Sequence, residues 1–130
     1  MIGIDTNILA RFFTQDDPGQ SRRADEFLQS LTPEEPGFIS LVVLAELVWV
    51  LRRYYGVNKL QLIRGLDQLL NAPELVLEEQ AVVAQALRRF ANAKADFADC
   101  LIERAGHLAG CRATVTFDGQ AARTAGMKLL

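Results

Sequence analysis

Histidine occurs once and cysteine twice in 130 residues, and the two cysteines, Cys100 and Cys111, stand apart with no Cys-x-x-Cys pair and no histidines clustered near them. That removes zinc-finger and thiol-redox chemistry from the reading, and both cysteines are expected to be small, buried, reduced thiols. The phosphate-cradling glycine motifs, Gly-x-x-x-x-Gly-Lys-Ser/Thr and Gly-x-Gly-x-x-Gly, are missing as well, so neither a P-loop nor a dinucleotide fingerprint is available. The longest apolar run, Leu41 to Leu51, is broken by Glu46 and followed by Arg52 and Arg53. It is too short and too polar for a membrane span. The N-terminus does not read as a signal peptide, since Asp5 and Arg11 interrupt any apolar core region. A cytoplasmic protein that does not engage a membrane is the expectation. No internal repeat, linker or low-complexity tract is visible, and this length suits a single domain, residues 1–130. The net charge of −2 does not advertise a nucleic-acid binder, although bound divalent cations would reverse the field around any acids that hold them.

What is present is an alternation of strand and helix signals. Residues 1–4 read as a short buried strand, with a helix from Thr6 to about Phe13. Asp17-Pro18 supplies an N-cap and first-turn proline for a second helix reaching Ser30. Phe38-Ile39 forms a strand, Ser40 caps a helix that stops at Gly56, and Asn58 opens another that ends before Pro73. Leu75 to Leu77 forms a third strand. Helices follow over Gln80–Asn92 and Asp96–Ala109, then a strand over Ala113–Phe117, a short helix near Gln120–Thr124 and a last strand at Met127–Leu130. This order implies an α/β domain with a mostly parallel sheet and helices on both faces.

Ligands of such sheets bind beyond the carboxyl ends of the strands. Asp5 and Asp118 close two apolar strand segments, and Glu46 and Asp99 lie in the first turns of helices that would begin at the same edge. Glu46 is the only ionisable residue in its apolar run. A carboxylate buried there would have to protonate, pair or bind metal, because an unpaired buried charge costs several kcal/mol or more. Each acid also has an ordinary reading. Asp5 could be an N-cap, Glu46 a partly exposed residue or a partner for Arg11 or Arg52, and Asp118 before Gly119 the start of a turn. Asp96, three residues before Asp99, is an N-cap or an outer ligand, and the cap is favoured. Hard divalent ions take carboxylate and water oxygens, and metal-assisted phosphodiester hydrolysis needs several acids and no histidine.

Four segments in order, Asp5-Thr6-Asn7-Ile8-Leu9, Val43-Leu44-Ala45-Glu46, Ala95-Asp96-Phe97-Ala98-Asp99-Cys100-Leu101 and Val115-Thr116-Phe117-Asp118, resemble the PIN-domain ribonucleases, and among them the VapC toxins of toxin-antitoxin pairs. The resemblance implies a three-layer α/β/α fold around a central, mostly parallel sheet of four to five short strands. It implies that Asp5, Glu46, Asp99 and Asp118 bind one or two Mg²⁺ or Mn²⁺ ions, with Asp5 and Asp99 as direct ligands and Asp118 and Glu46 completing the pocket. Thr6 and Asn7 would orient Asp5, and Thr116 would do the same for Asp118. The implied activity is hydrolysis of structured RNA to 5′-phosphate and 3′-hydroxyl ends by a type II toxin. Its partners would be a cognate antitoxin and a second copy of the chain, and the Trp49, Tyr54, Tyr55 cluster would be core or interface. Two other classes are weighed against this: a receiver-like phosphoryl-transfer domain using Asp5, and a non-catalytic RNA-binding scaffold. Among the basic pairs, Arg22-Arg23, Arg52-Arg53 and Arg88-Arg89 read first as solvated helix faces, with a subset expected to meet phosphate.

Overall fold

The computed structural model describes residues 1–130 and divides them into two compact units, Met1–Glu78 and Glu79–Leu130. In the first, β1 (Ile2–Gly3), α1 (Thr6–Thr14), α2 (Pro18–Ser30), β2 (Gly37–Ile39), α3 (Leu41–Tyr55), α4 (Lys59–Asn71) and β3 (Leu75–Leu77) follow in order. Their starts are set by local chemistry. The Asp17 carboxylate accepts from Gln20 N at 3.0 Å, and Ser40 Oγ accepts from Val43 N at 3.2 Å. Asn58 and Gln61 close a reciprocal capping box, which satisfies amides that the helix itself leaves unpaired. Gly56 ends α3 in the left-handed region at φ 59°, where a side chain would be strained.

The three strands pair in parallel in the order β1-β2-β3, with Ile2 opposite Gly37 and Gly37 opposite Leu75. Ile4 N extends the ladder to Phe38 O at 2.9 Å, and Glu78 N extends it to Ile39 O at 2.9 Å. The core of this unit is Ile4, Leu9, Ile39, Leu44, Leu47, Leu51, Leu62, Leu66 and Leu77, all buried. Gly37 is the close approach: a Cβ there would lie 2.5 Å from Ile4 Cδ1 and 2.9 Å from Leu31 Cδ1. Asp16, which reads as a solvated loop acid from sequence, is instead a staple. Its carboxylate accepts from Thr14 Oγ1 at 2.8 Å, Arg11 Nη1 at 2.9 Å and Tyr55 Oη at 2.9 Å. The Thr14 and Tyr55 hydroxyls, with Arg11 behind them, hold its pKa down at about 2.

The second unit contains α5 (Gln80–Asn92), α6 (Phe97–Leu108), β4 (Val115–Thr116), α7 (Gly119–Thr124) and β5 (Lys128–Leu129). The α5 and α6 helices pack through Val83, Ala86, Phe90, Phe97 and Cys100, all fully buried. The Phe90 and Phe97 rings meet edge to face at 5.6 Å, a favoured quadrupole geometry. The β4 and β5 strands pair in parallel, Val115 opposite Lys128 and Thr116 opposite Leu129. The five short parallel strands among helices are those the sequence implied, in a mostly helical α/β arrangement. Hydrogen bonding groups the strands into ladders of three and two rather than one sheet of four to five. No helix is long and apolar enough to cross a membrane.

Candidate functional site

In the first unit, Asp5 follows β1 and starts α1. Its Oδ1 accepts from the Thr6 backbone N at 2.8 Å, so the backbone of Thr6 orients the acid, and the Thr6 side chain does not. Thr6 Oγ1 is buried without a hydrogen-bond partner, and Asn7 is exposed. Asp5 is exposed, and its Oδ2 accepts no hydrogen bond from the protein.

Glu46 differs from the sequence expectation. Its side chain is exposed on α3, and the buried residues of that helix are Leu44, Leu47, Val48 and Leu51. The helix is apolar around most of its circumference, so the run of apolar letters hides which face meets solvent. That face carries Val42, Glu46, Trp49 and Arg53, spaced four, three and four residues apart. The desolvation argument for Glu46 therefore falls, although the residue still projects a carboxylate from α3. Trp49 and Tyr54 are surface residues rather than core, 57% and 68% exposed, with their rings edge to face at 5.5 Å. Tyr55 lies at the Asp16 staple.

In the second unit three acids share one neighbourhood. Asp118 follows β4 and caps α7, its Oδ1 accepting from Gln120 N at 2.8 Å and Ala121 N at 3.3 Å. Thr116 Oγ1 accepts from Asp118 N at 3.0 Å and so fixes the backbone that carries the acid. As with Asp5, Oδ2 of Asp118 accepts no hydrogen bond. Asp96 occupies the N-cap position of α6, yet its side chain makes no capping bond. The favoured cap reading thus holds for its backbone and not for its carboxylate. Asp99 is half-buried in the first turn of α6. Burial, followed by the negative charges of Asp96 and Asp118, holds its carboxyl above the usual carboxylate range.

The three acids of the second unit are hard oxygen anions, Asp99 among them under like-charge pressure, and their chemistry suits a hard divalent cation. No three His, Cys, Asp or Glu side chains form a ready-made cage, so the donor chemistry fits a metal without preassembled geometry. The thiols take no part. Cys100 is buried and its pKa is pushed by burial up to about 11, whereas Cys111 is exposed, contrary to the expectation that both are buried. Sequence reading also passed over Gln85 and Asn92, which share one polar stripe of α5 with Arg88 and Arg89. Their spacing of three, four and seven residues was the available signal.

No curated protein matches the chain. The family model of the PIN domain matches residues 2–127 and runs through both units. With acids closing β1 and β4 and opening α6 as the motifs require, the chain belongs to the PIN domain family, whose members are in general metal-dependent nucleases.

Proposed function

We propose that this chain, as one PIN-like domain over residues 1–130, is a divalent-metal-dependent endoribonuclease and the toxin of a type II toxin-antitoxin system. The observation that carries the reading is membership in a nuclease family over nearly the whole chain. Asp5 and Asp99 would hold Mg²⁺ or Mn²⁺ directly, with Asp118 and Glu46 completing the set for one or two ions through water or a second, weaker site. When bound, such an ion supplies positive charge at the phosphate oxygens and lowers the pKa of its water.

The residues of the chain supply the rest. Asp5 and Asp118 are each anchored through Oδ1 to helix amides, so Oδ2 is presented with little rotamer freedom to lose on binding. Thr116 keeps the Asp118 backbone in place. Asp99, held above the usual carboxylate range by burial and then by the charges of Asp96 and Asp118, would gain from a cation, whose positive charge favours its ionised form. The exposed Trp49–Tyr54 pair and Val42, 75% exposed, support a protein partner on the outer face of α3, either the cognate antitoxin or a second copy of the chain. A cytoplasmic location and structured RNA as substrate accompany this reading.

Purified protein is incubated with structured RNAs in Mg²⁺, Mn²⁺ or EDTA, alongside Asp5→Asn and Asp99→Asn. Metal-dependent cuts leaving 5′-phosphate and 3′-hydroxyl ends, lost in both variants, are the expected result. Intact RNA with either ion, or cleavage by both variants at the wild-type rate, refutes the proposal. Growth arrest on expression, relieved by a co-expressed neighbouring antitoxin, tests the toxin role separately.

A further inference from the structure

Beside Glu103, α5 and α6 line an open groove of about 490 Å³ formed by Gln85, Arg88, Arg89, Asn92, Ala93 and Arg104. Four of these come from one face of α5 at positions i, i+3, i+4 and i+7, the spacing that stacks side chains along a helix. Arg104 comes from α6 and is held rigidly. Its Nε and Nη2 donate to the two Glu103 carboxylate oxygens at 2.6 and 2.9 Å, and its Nη1 donates to Gln85 Oε1 at 3.2 Å. The Arg89 guanidinium lies against Gly126, where an added Cβ would come within 3.2 Å of Nη2. Asn92 is tied back to its own helix through Arg88 O at 2.8 Å.

The charge does not cancel. Glu103 neutralises Arg104, while Arg88 and Arg89 join no salt bridge. The whole unit is basic: residues 79–130 hold seven Lys and Arg against five Asp and Glu, a formal +2, whereas residues 1–78 hold seven against eleven, −4. The chain's net −2 is therefore the sum of two unlike units. Three arginines face the single carboxylate of Glu103, which also feels Arg89, and the surplus of positive charge in the groove attracts an anion and raises its local concentration.

The lining also says which anion. Protein interfaces are anchored by buried aromatic or aliphatic side chains, and this groove offers only the Ala93 methyl. It offers instead planar guanidinium forks, which match phosphate oxygens in pairs, and two side-chain amides able to bond phosphate or ribose hydroxyls. The acids around Asp99 repel a polyanion, so affinity for one must come from cations placed elsewhere. Asp99 and Arg104 are five residues apart on α6, about 7.5 Å along the axis at roughly 1.5 Å per residue.

We infer that the α5–α6 groove is a docking track for the RNA phosphate backbone, with Arg88 and Arg89 as its principal phosphate contacts and Arg104 as its fixed wall. This rests on the ribonuclease reading above and adds to it where the substrate is held. Such contacts position without reading sequence.

The test is binding of a fluorescent single-stranded RNA to full-length protein in EDTA, by anisotropy across a salt series. Arg88→Gln/Arg89→Gln is compared with wild type and with Arg22→Gln/Arg64→Gln, which removes the same charge from exposed positions of the other unit. At about 0.7 in slope per single-strand phosphate contact, the groove variant flattens log K against log salt by about 1.4. Its binding weakens about tenfold near 0.15 M salt, equally across RNA sequences, and the control stays within about twofold of wild type. In Mg²⁺ or Mn²⁺ the groove variant raises KM by a similar factor and leaves kcat nearly unchanged. Both arginines are exposed, so unchanged melting temperatures establish that the variants fold. If the groove variant binds RNA like wild type while the protein still cleaves RNA, the groove inference is overturned and the nuclease reading stands. If wild type binds RNA through these arginines but never cleaves it, the nuclease reading fails and the groove survives. Wild type that ignores RNA but binds an acidic peptide through Arg88 and Arg89 overturns the choice of partner.

Discussion

Asp5 and Asp118 each do two jobs with different oxygens, and paired substitutions separate them. Oδ1 caps a helix, and asparagine offers an acceptor in the same place and caps as well as aspartate. Alanine offers none. Asp118→Ala should therefore lose about 0.5–2 kcal/mol, typically ~1, which for a chain of this size lowers the melting temperature by roughly 2–8 °C. Asp118→Asn keeps the cap. It gives up an anion at a helix N-terminus, about 0.3–1 kcal/mol, but relieves the repulsion on Asp99, so in EDTA it should melt near wild type. Asp5→Asn and Asp5→Ala should separate in the same sense. Divalent ion is then added: at about 100 times its Kd it should stabilise wild type by about 2.7 kcal/mol, and all four variants should fall well short of that. Calorimetric melts with and without Mn²⁺ read both effects. If Asn and Ala variants fall together in EDTA, the Oδ1 caps are not what holds these helices. If the Asn variants gain as much from Mn²⁺ as wild type, the acids are not its ligands.

Phe90→Ala removes a fully buried ring stacked edge to face on Phe97 and should destabilise the protein by about 3–5 kcal/mol; a denaturant midpoint within error of wild type would contradict this packing. The Asp16 staple predicts an acid limb. With its pKa lowered from 3.8 to about 2, Asp16 adds stability that is present above the unfolded value and is lost as pH falls through the folded one. The gap in melting temperature between wild type and Asp16→Asn should be full at about pH 6 and shrink between roughly pH 4 and 2; a gap independent of pH would show that the network is not ionic. Cys111 should react with a maleimide in the native protein, and buried Cys100 only after unfolding, as peptide mapping of the labelled chain would show.

Helix boundaries were legible because capping is local: Asp17-Pro18, Ser40 before the α3 run, Asn58 with Gln61 and Gly56 each announce themselves within four residues. The acids at the ends of β1 and β4 were legible for the same reason, each following a short apolar segment. Glu46 was misjudged because an all-round apolar helix gives no phase, and only packing against α1 decides that Leu44 and Leu47 turn inward while Val42 and Trp49 face water. The division of strands into ladders of three and two depends on pairings between residues more than thirty apart or across a helix, about which neighbouring letters are silent. Asp16 looked like an ordinary loop acid because Tyr55, one of its partners, lies 39 residues away.

The empty side chain of Gly37 has a reach beyond its own strand. Ile4 Cδ1 fills the space where a methyl would sit, and Ile4 is covalently joined to Asp5. An alanine at 37 would have to displace the tips of Ile4 and Leu31, both flexible side-chain ends, so the strand can keep its place while the packing on either side of it loosens. Such a variant keeps every acid and every arginine and should lose melting temperature before it loses activity.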